Sequence, residues 1–368
     1  MTDDLFGYSM RRVGIVGDGL AGLIAARSAA QSGAEVLIFA RSEPIGGLAA
    51  PVHADAEWLF DRIPLNWNRT SYLATLLKSM GVGIHSRRMI HTRMAFILDE
   101  KRYTLPGNKG LFWKSNRNDA LEADWLSVVK ATKAKDLSNL EGAAKHMATL
   151  LSVLWSFNTT PNLEALEHHT VRNFGRIPTD GWAGVSGRLI AACSQWDVTF
   201  HTEGPVLGFR RDKNGNVDGI KRKGRIMPVD AVIQAHNRSD STIYGRYIGT
   251  YGNFMLPHVA LWDVDREVLL VDLGRFVTDR IPKEHRNKVT MFHCFAFGDQ
   301  NDAAERVEAV LDSQCSGWRK GIIQDFQIED LRLPIIPEHE YEDGIYYAHV
   351  ENAELIGKMA ANSLLPEG

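Results

Sequence analysis

Hydrophobic positions along this chain change period several times, and each change marks an element. Val13, Ile15 and Val16 belong to a short β-branched run that stops at Gly17; from Leu20 to Gln31 alanine and leucine recur at helical spacing; Glu35 to Phe39 is again a short apolar run. Gly33, lying between the last two, suits a helix end. The opening is therefore predicted as strand, tight turn, helix and a second, parallel strand. Helical spacing returns in DALEADWLSVVKATKAK (119–135) and NLEGAAKHMATLLSVLWSF (139–157). Asn214-Gly215, between two strand-like runs, predicts a hairpin turn. Apolar and polar residues alternate in HVALWDVDREVLLVDLGRF and KVTMFHCFAFG, which predicts antiparallel strands, and Asn301 to Gln314 is predicted as a helix with Asp302 near its start.

The first turn carries chemistry. Gly17-x-Gly19-x-x-Gly22 stands where strand passes into helix. The first glycine allows the bend, the second lets a pyrophosphate approach the backbone, and the third lets helix and strand pack closely. The stretch Gly17 to Gly22, with Leu20 and Ala21 opening the helix, would present backbone N–H groups and the helix dipole to phosphate. A bound dinucleotide is expected. Its identity is less direct, because the second strand ends in Phe39-Ala40 rather than in the Asp or Glu that grips an adenosine ribose. Arg41-Ser42 at this point suits a ribose 2'-phosphate, so an NADP-dependent reductase is one reading. Pro44-Ile45-Gly46-Gly47-Leu48 supports another, a further backbone turn against the phosphates and ribityl chain of a flavin.

On these residues the chain resembles the flavin amine oxidase and phytoene desaturase superfamily, whose members bind FAD on a glutathione-reductase-like Rossmann fold and oxidise C–N or C–C bonds. The block from Thr179 to Asn237 is similar to the superfamily's middle segment, and the resemblance places Val206 at a backbone contact to adenine. At the C-terminus Ile345 to Ala348 match a strand, and Glu351-Asn352-Ala353, Gly357 and Ala360-Ala361 match the spacing of the helix after it. By the same resemblance Val350, Glu351 and Asn352 stand at a helix start that would stabilise charge on the flavin ring. Two departures are visible: His349-Val350 replace a Gly-Asp pair and its loop, and in Phe60-Asp61-Arg62-Ile63-Pro64 isoleucine replaces the glycine that lets backbone approach the isoalloxazine. The resemblance implies an α/β fold with a Rossmann-type FAD-binding domain (1–80, 176–240 and 326–368). A substrate domain of antiparallel sheet and helical lid (81–175 and 241–325) would interrupt it. It implies hydride transfer from an amine or amino-acid-like group to FAD. It names no catalytic residue; Trp67, Trp113 and Tyr347 are candidate pocket walls. A non-catalytic binding protein that keeps this fold is the remaining alternative.

Composition adjusts this picture in a few places. The length of 368 residues with 44% hydrophobic content suits about two domains. A net charge of −3 gives no general reason to expect nucleic acid. Residues 85–135, however, hold eleven Lys or Arg against five Asp or Glu, with Tyr103, Phe112 and Trp113 among them. That mixture could grip a nucleotide-linked or nucleic-acid-linked substrate, or serve only as a solvated face. Cys193, Cys294 and Cys315 are far apart and form no zinc spacing, which suits a reducing cytoplasm. No metal is expected: His168-His169 point about 100 degrees apart on a helix and make a poor chelate. The start of the chain lacks a signal-peptide pattern, and the longest apolar run, Met147 to Phe157, is too short to span a bilayer.

Overall fold

The opening run pairs as its pattern predicts. In the computed structural model Arg12–Val16 lies parallel to Glu35–Phe39 on one side and to Ala231–Gln234 on the other. Thr199–His201 extends the sheet beyond Glu35–Phe39, and Ile345–Tyr347 with its antiparallel partner Tyr341–Glu342 extends it at the other end. The structure describes residues 10–52, 58, 60–64, 67, 71–88, 94–106, 119–157, 159–167, 175–236, 238–252, 259–274, 280–286, 288–334, 336–342 and 344–362. Parallel pairing brings the carboxyl ends Val16, Phe39, His201, Gln234 and Tyr347 to one edge of the sheet.

Side chains alternate across this sheet with period two. Val13, Ile15, Val36, Ile38 and Ile233 face a core made with the helices Leu20–Gln31, Gly181–Ser194 and Ala353–Asn362. Val16, Leu37, Phe39 and Val232 face the other way, under a three-stranded antiparallel sheet of Gly208–Arg211, Val217–Arg222 and Arg225–Pro228. The hairpin turns at Gly215, whose φ is 90°, and the Asp212 carboxylate accepts from the N–H groups of Asn214 and Asn216. Helix packing is equally specific. A Cβ at Gly357 would stand 2.4 Å from the carbonyl oxygen of Ala25, so the first and last helices touch backbone to side.

A second, seven-stranded sheet runs in the order Ile322–Pro334, Arg238–Tyr251, Val289–Ala296, Val268–Asp272, Ala260–Asp263, Met94–Leu98 and Lys101–Thr104. Tyr247, Val271, Met291 and Phe295 face a core with the helices Asp119–Ala134 and Gly142–Ser156. Ile248, Leu270, Phe292 and Cys294 face a core with the helix Ala303–Gln314. Covering on both faces explains why all eight residues of Val289–Ala296 are buried. The segment 81–175, expected to supply helices, thus also supplies two strands of this sheet, and a third, Ser86–Arg88, pairs with Arg176–Pro178. Met94–Leu98 is a continuous apolar run without periodicity, and it is its parallel pairing with Ala260–Asp263 that makes it a strand. Asp302 precedes its helix as expected but does not cap it with its side chain; its carboxylate accepts from Arg306 Nε at 2.7 Å. Among the described residues no helix is long and apolar enough to cross a membrane, and no group of three or more His, Cys, Asp or Glu could hold a metal.

Candidate functional site

Glycine geometry builds the first part of the site. Gly17 has φ +117°, and a Cβ there would meet the Ala235 backbone at 2.9 Å. A Cβ at Gly22 would lie 1.9 Å from the Gly17 carbonyl oxygen, which is why the helix can start so close to the strand. Gly19, by contrast, opens on free space. Leu20, half-buried, and Ala21, buried, begin the helix, whose first N–H groups have no partner within the helix. Opposite them stands the second glycine pair. Asp18 Oδ2 accepts from Gly46 N at 2.8 Å and from Gly47 N at 3.2 Å, latching that pair across the turn. Gly47 has φ +58°, and a Cβ on it would stand 3.0 Å from Gly19 Cα. Leu48, next in line, turns toward the core of the second sheet. A backbone turn with an open face, closed behind by glycines that admit no side chain, fits a pyrophosphate. Asp18 was not singled out from the sequence, because the x of G-x-G carries no signal of its own.

The neighbouring strand ends form the next part. Phe39 and Ala40 are buried and offer no carboxylate; Arg41 and Ser42 are exposed. Phe39 stacks on His201 with centroids 5.2 Å apart, and the Arg222 guanidinium lies 5.8 Å from the Phe39 ring centre. Burial, then the nearby Arg222, lowers the His201 pKa. Val206, half-buried, packs on the same cluster as Phe39. Gly17, Gly19, Gly22, Gly46 and Gly47 are thus brought together, with Arg41 and Val206 beside the adjoining strand ends.

The C-terminal candidates behave differently. Asn352 is buried, and its side chain is engaged within the chain: Oδ1 accepts from His349 N at 2.8 Å, while Nδ2 donates to Glu340 Oε1 at 3.2 Å and Tyr347 O at 3.3 Å. Val350 packs into the core below the parallel sheet and Glu351 is exposed. Tyr347 packs on the opposite side, under the three-stranded sheet, whereas Trp67 lies buried in the same core as Trp182. Trp113, Phe112 and His168-His169 lie outside the described residues. In the basic segment Arg87, Arg88, Lys101, Arg102, Lys130, Lys133 and Lys135 are exposed, and one face of Tyr103 is taken by Phe96 at 5.2 Å.

A third cluster, unforeseen from the sequence, joins the two sheets. Asp61 and Arg280 form an ion pair at 2.5 Å with side chains 1% and 0% exposed. Asp61 Oδ1 also accepts from Trp182 N at 2.7 Å, and Arg280 donates to the carbonyls of Pro178 and Thr179. Room for this comes from Gly181 (φ +71°), where a Cβ would meet Asp61 Oδ1 at 2.6 Å. Burial raises the Asp61 pKa, with Arg280 opposing it. Behind the pair, Asp61 N donates to His293 Nε2 at 3.2 Å. Burial and then Arg280 push the His293 pKa well below its ordinary value, so the ring is neutral and, with Nε2 accepting, carries its hydrogen on Nδ1. Arg62 Nη1 donates to Gly47 O and Tyr247 Oη to Arg62 O, tying this junction to the glycine pair and to the second sheet. Ile63, in the place of the expected glycine, is 2% exposed and packs in the core of that sheet.

A parallel sheet with a glycine turn at its carboxyl edge is a dinucleotide-binding layer, and residues 15–80 match the family model of an NAD(P)-binding Rossmann-like domain. No curated protein matches the sequence. Among solved structures, an oxidoreductase from Methanosarcina mazei is 16% identical with a TM-score of 0.66, covering 97% of this chain and 100% of its own. A triple mutant of putrescine oxidase is 15% identical with a TM-score of 0.66, covering 98% and 99%. Rab GDI from Plasmodium falciparum is 15% identical with a TM-score of 0.59, covering 97% and 99%. The chain therefore has the mixed α/β fold that amine oxidases share with proteins of other function, along nearly its whole length.

Proposed function

We propose that the protein is an FAD-dependent oxidoreductase of the amine oxidase type, acting on an amine or amino-acid-like small molecule. When bound, FAD would accept hydride from the carbon beside nitrogen. The observation that carries this reading is the double glycine cradle, Gly17 to Gly22 facing Gly46-Gly47, latched by Asp18. One glycine turn would serve any dinucleotide; the second pair, held against the first, suits the longer phosphate and ribityl path of FAD. The chain's own residues would hold the pyrophosphate through the backbone N–H groups at the start of the helix after Gly19, while Asp18 keeps the Gly46 and Gly47 N–H groups. The segment Phe60 to Ile63, buried except for the half-buried Arg62, would close the ring end from water. Its three cysteines are free and buried, which suits a reducing cytoplasm.

A visible absorption spectrum of the purified protein, with identification of any molecule released on denaturation, tests this reading. Oxidised-flavin bands with FAD released are expected. A colourless, folded protein that FAD does not reconstitute but NADP does would move the assignment to a reductase reading a 2'-phosphate through Arg41 and Ser42. Failure to bind either would leave a non-catalytic role for the fold.

A further inference from the structure

The three-stranded antiparallel sheet carries a charge that the dinucleotide layer does not use. Residues 207–228 hold seven Lys or Arg against two Asp, in a chain whose net charge is −3. The rest of the molecule is therefore acidic, and this sheet is its basic outlier. Only one face of the sheet is covered. Ile220 and Arg222 point inward, 0% and 5% exposed, and between them Lys221 points out to solvent. Lys221 stands opposite Ile226 on one neighbouring strand and Gly208 on the other. Leu207 is 65% and Ile226 43% exposed, and together with Lys221, Arg222, Gly224 and Arg225 they line an open groove of about 620 Å³. The charge here is answered only in part from within the chain. Arg222 and Arg225 share the exposed carboxylate of Glu203, and Arg222 also donates to Gly204 O at 2.7 Å, which fixes the floor of the groove. Asp218 pairs with Arg210, and the Asp212 carboxylate is engaged by the hairpin turn. Lys213, Lys221 and Lys223 are exposed and form no ion pair among the described residues.

We propose that this groove is a docking surface for an acidic segment of a partner protein, whose carboxylates face Lys221 and Lys223 and whose aliphatic side chain enters between Leu207 and Ile226. Charge complementarity sets the sign of the partner, and the walls set its chemistry. The groove is open, so it does not enclose a small ligand over most of its surface as a small-molecule pocket does. It can receive one side chain of a larger partner while the flanking strands meet the rest. The lining is aliphatic, with no aromatic ring on which a base would stack, so single-stranded nucleic acid would find cations but no platform. A flat lipid surface would bridge a concavity rather than fill it. An exposed aliphatic pair ringed by cations has the apolar centre and polar rim of a protein interface. This inference is independent of which dinucleotide the glycine cradle holds.

The test titrates the full-length protein, by fluorescence anisotropy, against a labelled peptide of alternating Glu and Leu and against the same peptide with Ala in place of Leu. Saturable binding of the Glu/Leu peptide is expected, weakening as salt is added. Lys221→Glu is expected to weaken it about tenfold or more, the loss of a charge-assisted contact. Lys130→Glu makes the same change of charge at an exposed position of the helix Asp119–Ala134, outside the sheet, and should stay within about twofold of wild type. Leu207→Ser should weaken the Glu/Leu peptide about threefold to tenfold, by removing apolar area from the contact, and should leave the Glu/Ala peptide unaffected. All three positions are described as exposed or lie outside the cores, so thermal midpoints equal to that of wild type are expected and are measured alongside. The proposal is overturned if wild type does not bind the Glu/Leu peptide. It is also overturned if Lys221→Glu and Lys130→Glu weaken binding equally, the mark of a general field without a docking groove. Tighter binding of poly(dT), or of phosphatidylserine vesicles, with the same dependence on Lys221 would overturn it in favour of a nucleic-acid or a membrane surface.

Discussion

The glycine cradle and the Asp61–Arg280–His293 junction are two ways of building a site, and they respond oppositely to change. The cradle is made of backbone: its shape comes from absent side chains, since a Cβ at Gly22 would collide with the Gly17 carbonyl and one at Gly47 would press on Gly19. The junction is made of buried side chains drawn from positions 61, 280 and 293: Asp61 pairs with Arg280, and His293, kept neutral by burial, accepts from the Asp61 N–H. A cradle fails when something is added. A junction fails when something is removed, because what remains is a buried group without its partner.

The sharpest way to break this contrast is Arg280→Met, which leaves the Asp61 carboxylate buried without its cation. It is expected to cost about 3–5 kcal/mol in denaturant unfolding. Adding Asp61→Asn, which keeps an acceptor for Trp182 N, should recover much of that loss; a double variant no better than the single one would mean that the pair is not coupled. Next in size is Gly22→Ala in the cradle. Overpacking against the Gly17 carbonyl should cost about 1–3 kcal/mol and lower FAD uptake, whereas Gly19→Ala, facing open space, should leave stability nearly unchanged and weaken FAD alone.

A smaller effect concerns pH. His293 is held neutral in the folded protein, with its pKa well below the value near 6.5 that it regains on unfolding. The stability this supplies is complete above about pH 6.5 and is lost as the pH falls toward the folded value, at up to about 1.4 kcal/mol per pH unit. His293→Gln should flatten that slope. His146 and His201, also lowered by burial, contribute the same sign in both proteins, and Asp61, raised by burial, the opposite sign at lower pH, so the difference between the two curves isolates His293. The smallest effect belongs to Arg41→Ala. This exposed side chain should change stability by less than about 0.5 kcal/mol, and FAD affinity should be nearly unchanged; a large loss of NADP affinity instead would favour the reductase.

Much of this division was legible in the chain before any contact was known. Gly17, Gly19 and Gly22 with the periods on either side specify strand, turn and helix through local sterics, and the observed bounds Arg12–Val16, Leu20–Gln31 and Glu35–Phe39 follow them. Gly46-Gly47 was legible for the same reason. The alternation in 258–276 and 288–298 likewise announced antiparallel strands. Each of these signals lies within a few residues of what it determines.

Other features had no such local source. Met94–Leu98 is an apolar run that reads equally as helix or strand until Ala260–Asp263 lies beside it. Asn352 fits a site residue by spacing, yet only the approach of Glu340 and Tyr347 shows its amide engaged within the chain. Asp61, Arg280 and His293 are ordinary polar residues in sequence, and nothing nearby marks them as partners across 219 and 232 positions. Sequence by itself determined the dinucleotide layer, because backbone turns and side-chain periodicity are local. Tertiary structure alone decided the junction between the layers, because burial and pairing of charge exist only once distant segments exclude water from one another.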